Sequence, residues 1–430
     1  MRRWCKLLSV WICVLLLLTG CAPAASPGDE SAPTADVGTT SPTAGSPTGT
    51  ASSPSENLDE PPELRGVWVS YIELNTLLSG ATPDQAAAAL DALFDNCVSY
   101  GMNTVIFHVR ANSDAYYDSD CFPAAAAAES LLAAGFDPLS YAVAAAHARG
   151  LRLHAWVNPF RVGRDPARAM CADTFTSGEI TYYVPSSAAV QALVLNGIRE
   201  LVSRYDIDGV QFDDYFYPAG LSADTPEPFE QEAFAAYQQA GGTEQIADWR
   251  RLHVDSLLTA VYGLVHRRAG CVFGISPAYD VQKNTQSFYA DLLTWIRSPG
   301  YVDYICPQIY VGLENEAAPY QRVLEEWSAY PRDPSVQLYV GLAVYKIGLS
   351  PDPYAGSGAA EWAQYSNRLA TMVRLARETG QVSGLLFYSY SYFDPAATRS
   401  LSEGQSYDQA VAKQEITGLL EELGQKEQSG

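Results

Sequence analysis

Basic side chains are scarce in this sequence. It holds 27 Lys and Arg against 49 Asp and Glu, a formal charge of −22. So acidic a surface repels phosphodiesters and anionic lipid, so no nucleic-acid partner is expected. A polyanionic substrate would need a local basic pocket to overrule the average. Long apolar runs are also missing. The uncharged stretch Val10–Leu18 has nine residues, and a helix that crosses a bilayer needs about 20. Cysteine is sparse. Beyond Cys5, Cys13 and Cys21 there are Cys97, Cys121, Cys171, Cys271 and Cys306, an odd number without C-x-x-C spacing. That excludes a dense disulfide framework or a structural zinc of the usual spacing. Cys271 and Cys306 fall on expected strands and read as small buried fillers. Cys121 and Cys171 fall in expected loops and leave room for one disulfide. No H-E-x-x-H occurs, and neither a metal nor a cofactor is expected.

The short apolar run has a purpose. Arg2, Arg3 and Lys6 precede it, and Leu18-Thr19-Gly20-Cys21 follows it. Residues 1–20 therefore read as an export signal. The last four residues resemble a bacterial lipobox, which implies cleavage before Cys21 and lipid attachment to its sulfur; plain secretion is the alternative. Lipid on Cys21 would hold the protein outside the cytoplasm on the cell membrane without a transmembrane helix. The leader carries three basic residues and no acid, so its removal takes −22 to −25. Residues 21–63 are rich in Pro, Ser, Thr, Gly and Ala and cannot bury a core, so a disordered tether is expected. About 40 such residues span roughly 35 Å as a coil.

From residue 64 to about 425, strands and helices alternate. Strands are expected at 65–71, 104–110, 152–159, 208–213, 271–277, 303–310, 337–345 and 383–391. The helices between and after them include 82–100, 186–204, 243–268, 287–297, 318–329, 359–379 and 406–423. Eight alternating units favour a closed (β/α)8 barrel of the TIM type over an open doubly wound sheet. In each strand one parity is apolar and the other mixed, and the mixed parity should face the barrel interior. It includes His108 and Arg110; His154, Trp156 and Asn158; Gln211 and Asp213; Gly274 and Ser276; Gln308 and Tyr310; and Gly341, Ala343 and Tyr345.

The chain centres on Asp208-Gly209-Val210-Gln211-Phe212-Asp213-Asp214-Tyr215-Phe216-Tyr217-Pro218. Two carboxylates sit where the fourth strand ends, and in such barrels those ends form the active-site rim. The plain alternative is a solvated turn or a helix cap. Glycosidic cleavage needs one carboxylate to attack or to orient water and one acid to protonate the leaving oxygen. Asp213 is the first choice for the former. Asp214 is the nearest second carboxyl, although adjacent strand residues face opposite ways. Glu73, Asp114, Asp118, Asp280 and Glu314 are the other rim candidates, each taken singly more readily read as surface charge. His108, Arg110, His154, Asn158, Arg161 and Gln308 suit hydroxyl binding. An inward Arg110 would hold Asp213 ionised. Trp156, Tyr215, Phe216, Tyr217, Tyr310, Tyr345, Tyr388 and Tyr390 suit stacking on sugar rings, or are core filler. A loop of roughly 25 residues after the fourth strand is expected to edge the site.

Six motifs in order carry a family resemblance: Arg65-Gly66-Val67-Trp68, Asp137-Pro138-Leu139, His154-Ala155-Trp156-Val157-Asn158-Pro159-Phe160-Arg161, Asp213-Asp214-Tyr215-Phe216-Tyr217-Pro218, Gly274-Ile275-Ser276-Pro277 and Pro307-Gln308-Ile309-Tyr310. Together they resemble the glycosyl hydrolase-like 10 family, also called DUF187. The resemblance implies a TIM-type glycosidase, often a lipoprotein, acting on cell-wall glycan such as peptidoglycan strands stripped of stem peptides. Ala278-Tyr279-Asp280 departs from the family pattern, so the resemblance leaves the role of Asp280 open. Two other readings stay open. One is a catalytically idle barrel that binds glycan as a scaffold. The other is a metal-dependent hydrolase using His108, His154 and Asp213, which is disfavoured because the first strand lacks an H-x-H pair.

Overall fold

The computed structural model describes residues 63–213 and 216–428. The leader, Cys21, the tether, Asp214 and Tyr215 lie outside the described residues. Eight strands form a closed parallel barrel: β1 (Leu64–Val69), β2 (Thr104–Arg110), β3 (Arg152–Val157), β4 (Gly209–Phe212), β5 (Val272–Ile275), β6 (Tyr304–Ile305), β7 (Gln337–Ala343) and β8 (Gly384–Tyr388). Each pairs with its sequence neighbours, and β8 closes on β1.

Period-two alternation divides the apolar residues into two clusters. Val67, Val105, Leu153, Val210, Phe273, Val340 and Leu385 face outward and join the large core shared with the helices. Leu64, Trp68, Ile106, Trp156, Tyr304 and Leu386 face inward and fill the barrel. Glycines make room for the large inward rings. A Cβ on Gly209 would meet the His154 ring at 2.7 Å, and one on Gly274 would collide with the Tyr304 ring. Any side chain at either position would displace a packed interior residue.

The helices begin where local chemistry caps them. The helix Pro83–Ser99 starts at Thr82, which forms a capping box with Gln85. Asp137 accepts from Leu139 and Ser140 to open Pro138–His147, and Ser187 accepts from Val190 to open Ala188–Arg204.

Several elements differ from the sequence expectation. The chain leaves β1 at Ser70 and enters a helix, Tyr71–Leu78, through a second capping box between Ser70 and Glu73. The loop carrying Arg161, Arg164 and Arg168 contains a three-stranded antiparallel sheet, Arg161–Gly163, Thr174–Ser177 and Ile180–Tyr183. β6 has only two residues, because Pro307 has no N–H to continue the ladder. The expected helix 287–297 is shortened to Leu292–Arg297 and preceded by an unexpected one, Val281–Ser287, and the expected helix 359–379 is interrupted, giving Glu361–Gln364 with Arg368–Glu378. The long segment after β4 packs outward in its described part. There the carboxylate of Glu230 accepts from Arg250, and both side chains are fully buried. Cys121 and Cys171 are both free thiols, so the disulfide that their loop positions allowed does not form.

Candidate active site

A cleft of about 380 Å³ opens at the C-terminal ends of the barrel strands. Asp213 lies at its floor, just past β4, with 2 % of its surface exposed. Among the described residues it is the one carboxylate that lines the cleft. The indole N–H of Trp156 on β3 is shared between Asp213 Oδ2 at 3.2 Å and Asn158 Oδ1 at 3.1 Å. Asn158 is fixed in turn by donating to the Ala111 carbonyl at 3.1 Å. Backbone and side-chain bonds thus set the direction from which Asp213 is addressed.

His108 on β2 stacks flat on Trp156, with ring centroids 3.6 Å apart. Burial holds His108 well below the usual histidine range; the charge of Arg161 pushes the same way, and Asn158 opposes them. The ring is therefore neutral at neutral pH. Gln308 donates to the Ser276 carbonyl at 2.8 Å, and the buried Ser276 hydroxyl makes no hydrogen bond to any described residue. The remaining lining is aromatic. Tyr310 stacks near Tyr388 at 5.9 Å, Tyr345 meets both rings edge-on, and Trp68 touches Tyr388 at 6.1 Å.

Of the residues proposed from sequence, the structure brings His108, Trp156, Asn158, Arg161, Asp213, Gln308, Tyr310, Tyr345 and Tyr388 to one cleft. Tyr390 instead accepts from Asn96 at 2.9 Å, and Phe216 packs edge-on against Trp295. Three others are also elsewhere. Arg110 is not inward, because the β2–β3 register slips between His108 and Arg110. His108 pairs with inward Trp156, but Arg110 pairs with outward Val157. Its guanidinium lies over the Phe122 ring at 4.5 Å and donates to the Pro159 carbonyl. The expected support of Asp213 by Arg110 is absent. His154 sits deeper in the barrel, where Nδ1 meets the Tyr304 hydroxyl at 3.1 Å and burial lowers its pKa to about 3. The Tyr304 hydroxyl donates in turn to Gln211 Oε1 at 3.2 Å. Tyr217 is buried against Tyr289, away from the cleft. Asp214 and Tyr215 lie outside the described residues.

Of the other candidate carboxylates, Glu73, Asp280, Asp114 and Glu314 have structural partners, while the Asp118 side chain is exposed. Glu73 accepts from the Ser70 N–H, the Ser389 hydroxyl and the Ser391 N–H, which ties the loop after β1 to the loop after β8. Asp280 caps the helix Val281–Ser287 through the Lys283 N–H. Asp114 faces Arg168 at 3.7 Å, Asp118 accepts through its carbonyl from Arg204, and Glu314 faces Arg368 at 3.6 Å. Sequence reasoning missed Ser70, Tyr71 and Ile72 as lining. The signal was there: Ser70-x-x-Glu73 is a helix start, and it turns the chain across the mouth.

A closed parallel barrel with a buried carboxyl in an aromatic-lined mouth at its strand ends defines a class, that of barrel glycoside hydrolases. Residues 63–355 match the family described as Glycosyl hydrolase-like 10, and the chain belongs to that family. β8 and its Tyr388 lie beyond the matched stretch. The chain is 32% identical over 326 residues to glycosyl hydrolase YngK of Bacillus subtilis (strain 168), covering 68% of this chain and 62% of that protein. It is 28% identical over 388 residues to glycosyl hydrolase DigH of Escherichia coli (strain K12), covering 78% of this chain and 85% of that one. Its fold matches that of the PgaB (BpsB) glycoside hydrolase domain from Bordetella bronchiseptica with a TM-score of 0.53 at 14% identity, over 78% of this chain and 96% of that one.

Proposed function

We propose that the protein hydrolyses glycosidic bonds in a cell-envelope glycan, namely peptidoglycan strands freed of stem peptides, while held to the outer face of the cell membrane by lipid on Cys21. The observation that carries the reading is Asp213, which alone among the described carboxylates enters a cleft walled by Trp68, Tyr310, Tyr345 and Tyr388. A sugar ring stacked on those aromatics brings its anomeric carbon to the carboxylate. Asp213 then attacks, or stabilises the oxocarbenium-like transition state, while a second carboxyl protonates the leaving oxygen. Asp214 is the sequence's candidate for the second role. A carboxyl pair about 5–5.5 Å apart would retain the anomeric configuration, and about 6.5–9.5 Å would invert it. The leader and its Leu18-Thr19-Gly20-Cys21 end support the envelope part of the reading. A glycan-binding barrel without turnover is the second reading. What favours it is that no second carboxylate among the described residues lines the cleft.

Incubating the purified protein with intact and with peptide-free peptidoglycan, then weighing the released sugars by mass spectrometry, separates the two. Released fragments from the peptide-free strands are expected. Binding without release supports the scaffold, and neither binding nor release removes both.

A further inference from the structure

Beside the active cleft lies a second cavity of about 280 Å³, built from the segments that follow β7 and β8. Tyr345 lines both spaces, so they meet along one side chain. Three features of the second cavity are those of a ligand site.

The first is Tyr354 at its edge, which is 84% exposed, the highest exposure among the large apolar residues described. Such a ring in water is ordinary on a mobile loop, but the backbone that carries this one is anchored. Its N–H donates to Asp352 Oδ1 at 3.1 Å, and its carbonyl accepts from Asn315 at 3.2 Å. Asp352 is buried and accepts from Lys346 at 2.7 Å. The second feature is Trp362, which is 2% exposed and lines the same cavity. Its indole N–H makes no hydrogen bond to any described residue. A buried donor of this kind is costly to leave unmet, and a ligand oxygen would satisfy it. The third is the rest of the lining, where the Lys346–Asp352 pair, Ser400, Ser402 and Gln405 make a polar wall beside an aromatic edge; Gln405 is held in place by the Ser402 N–H and the Pro351 carbonyl, and the Lys346 ammonium keeps donors beyond its bond to Asp352. Fixed aromatic faces with a few convergent polar groups bind pyranose rings.

We infer that this cavity is a distal sugar-binding subsite, taking residues of the same glycan chain further along from the bond cleaved beside Asp213. The inference rests on the glycan reading above. Tyr345 is the step between the two sites, and Tyr354 is the platform of the outer one. A strand long enough to cover both is held at two places, so affinity rises with chain length until the outer site is filled.

The test uses the full chain carrying Asp213→Asn, so that bound strands are not consumed, with peptide-free peptidoglycan strands of four and of eight sugars as probes. Calorimetry is expected to show the eight-sugar strand bound more tightly. Adding Tyr354→Ala should weaken the eight-sugar strand about tenfold more than the four-sugar strand. Trp362→Phe, which keeps a ring and loses the N–H, should shift the ratio in the same direction by a smaller factor. Equal affinity for both lengths, or a Tyr354→Ala loss equal on both, overturns the subsite and leaves the cleft reading standing. No binding of either strand by the Asp213→Asn protein overturns both. Tyr354 is too exposed for its removal to unfold the chain, and an unchanged melting temperature checks this.

Discussion

The two arcs of the cleft are built by different means. The arc after β2, β3 and β4 is polar, and its members are bonded to one another. Asp213 and Asn158 share the Trp156 N–H, Asn158 is tied to the backbone, and His108 lies flat on Trp156. The arc from β1 and from the ends of β6, β7 and β8 is aromatic. Trp68, Tyr310, Tyr345 and Tyr388 touch at centroid distances near 6 Å, mostly edge to face. A hydrogen bond loses its value with small changes of angle, whereas ring contacts are broad in geometry. The first arc can hold a reacting atom in one place. The second can accept a ring in several orientations. Turnover should therefore depend on the polar arc and substrate capture on the aromatic one.

The sharpest way to break that division is Asp213→Asn, which keeps the shape and removes the charge. kcat should fall on the order of 10²–10⁴-fold with glycan binding largely kept. Unchanged release of sugars would end the assignment of Asp213. Trp156→Phe is the next probe, because it preserves the stack under His108 and deletes the shared N–H. A kcat loss of about tenfold with little change in KM is expected, the effect of one hydrogen bond to a charged group. If KM rises instead and kcat stays, Trp156 belongs to the binding surface, and the two arcs are not distinct.

How far the sequence reveals this cleft depends on which physical signal each part leaves. The eight-fold alternation is legible because strand and helix periods differ, and the caps at Thr82, Asp137 and Ser187 mark where one becomes the other. The inward set is legible by parity wherever pairing is regular, which places His108, Trp156, Gln308 and Asp213 correctly inside. Parity fails at Arg110, since one slipped residue in the ladder reverses every side chain after it and leaves no mark on the sequence period. It also gives no depth. His154 and Trp156 share a parity, yet one lies under the floor and the other in it. The small sheet after β3 was hidden because its strands have three or four residues and no clean alternation. Glu73 illustrates a third gap. A carboxylate at a strand end reads as catalytic until its three donors, two of them more than 300 residues away, are seen.

On the aromatic arc, Tyr310→Leu should raise KM about fivefold and leave kcat within a factor of two, because a stacking face is lost and no reacting group moves. An equal fall in kcat would mean that the ring orients the scissile bond, and the arcs would share one task.

The last prediction concerns stability rather than turnover, in the layer beneath both arcs. His154 is neutral when folded, with a pKa lowered to about 3 by burial, and titrates near 6.5 when unfolded. Between those values the unfolded chain binds the extra proton. Stability is therefore fully present above about pH 6.5 and drains as the pH falls toward 3, by up to about 1.4 kcal/mol per unit for this one residue. His108, also buried and held low, adds a slope of the same sign. His154→Gln removes one titrating group while keeping a partner for the Tyr304 hydroxyl. Its absolute stability will differ from that of the parent, so the informative quantity is the slope. Chemical denaturation at several pH values between 6 and 4 should give a shallower line for the variant by up to about 1.4 kcal/mol per unit. Parallel lines would mean that His154 takes up its proton in the folded barrel, and the sealed polar layer under the cleft would have to be open to water.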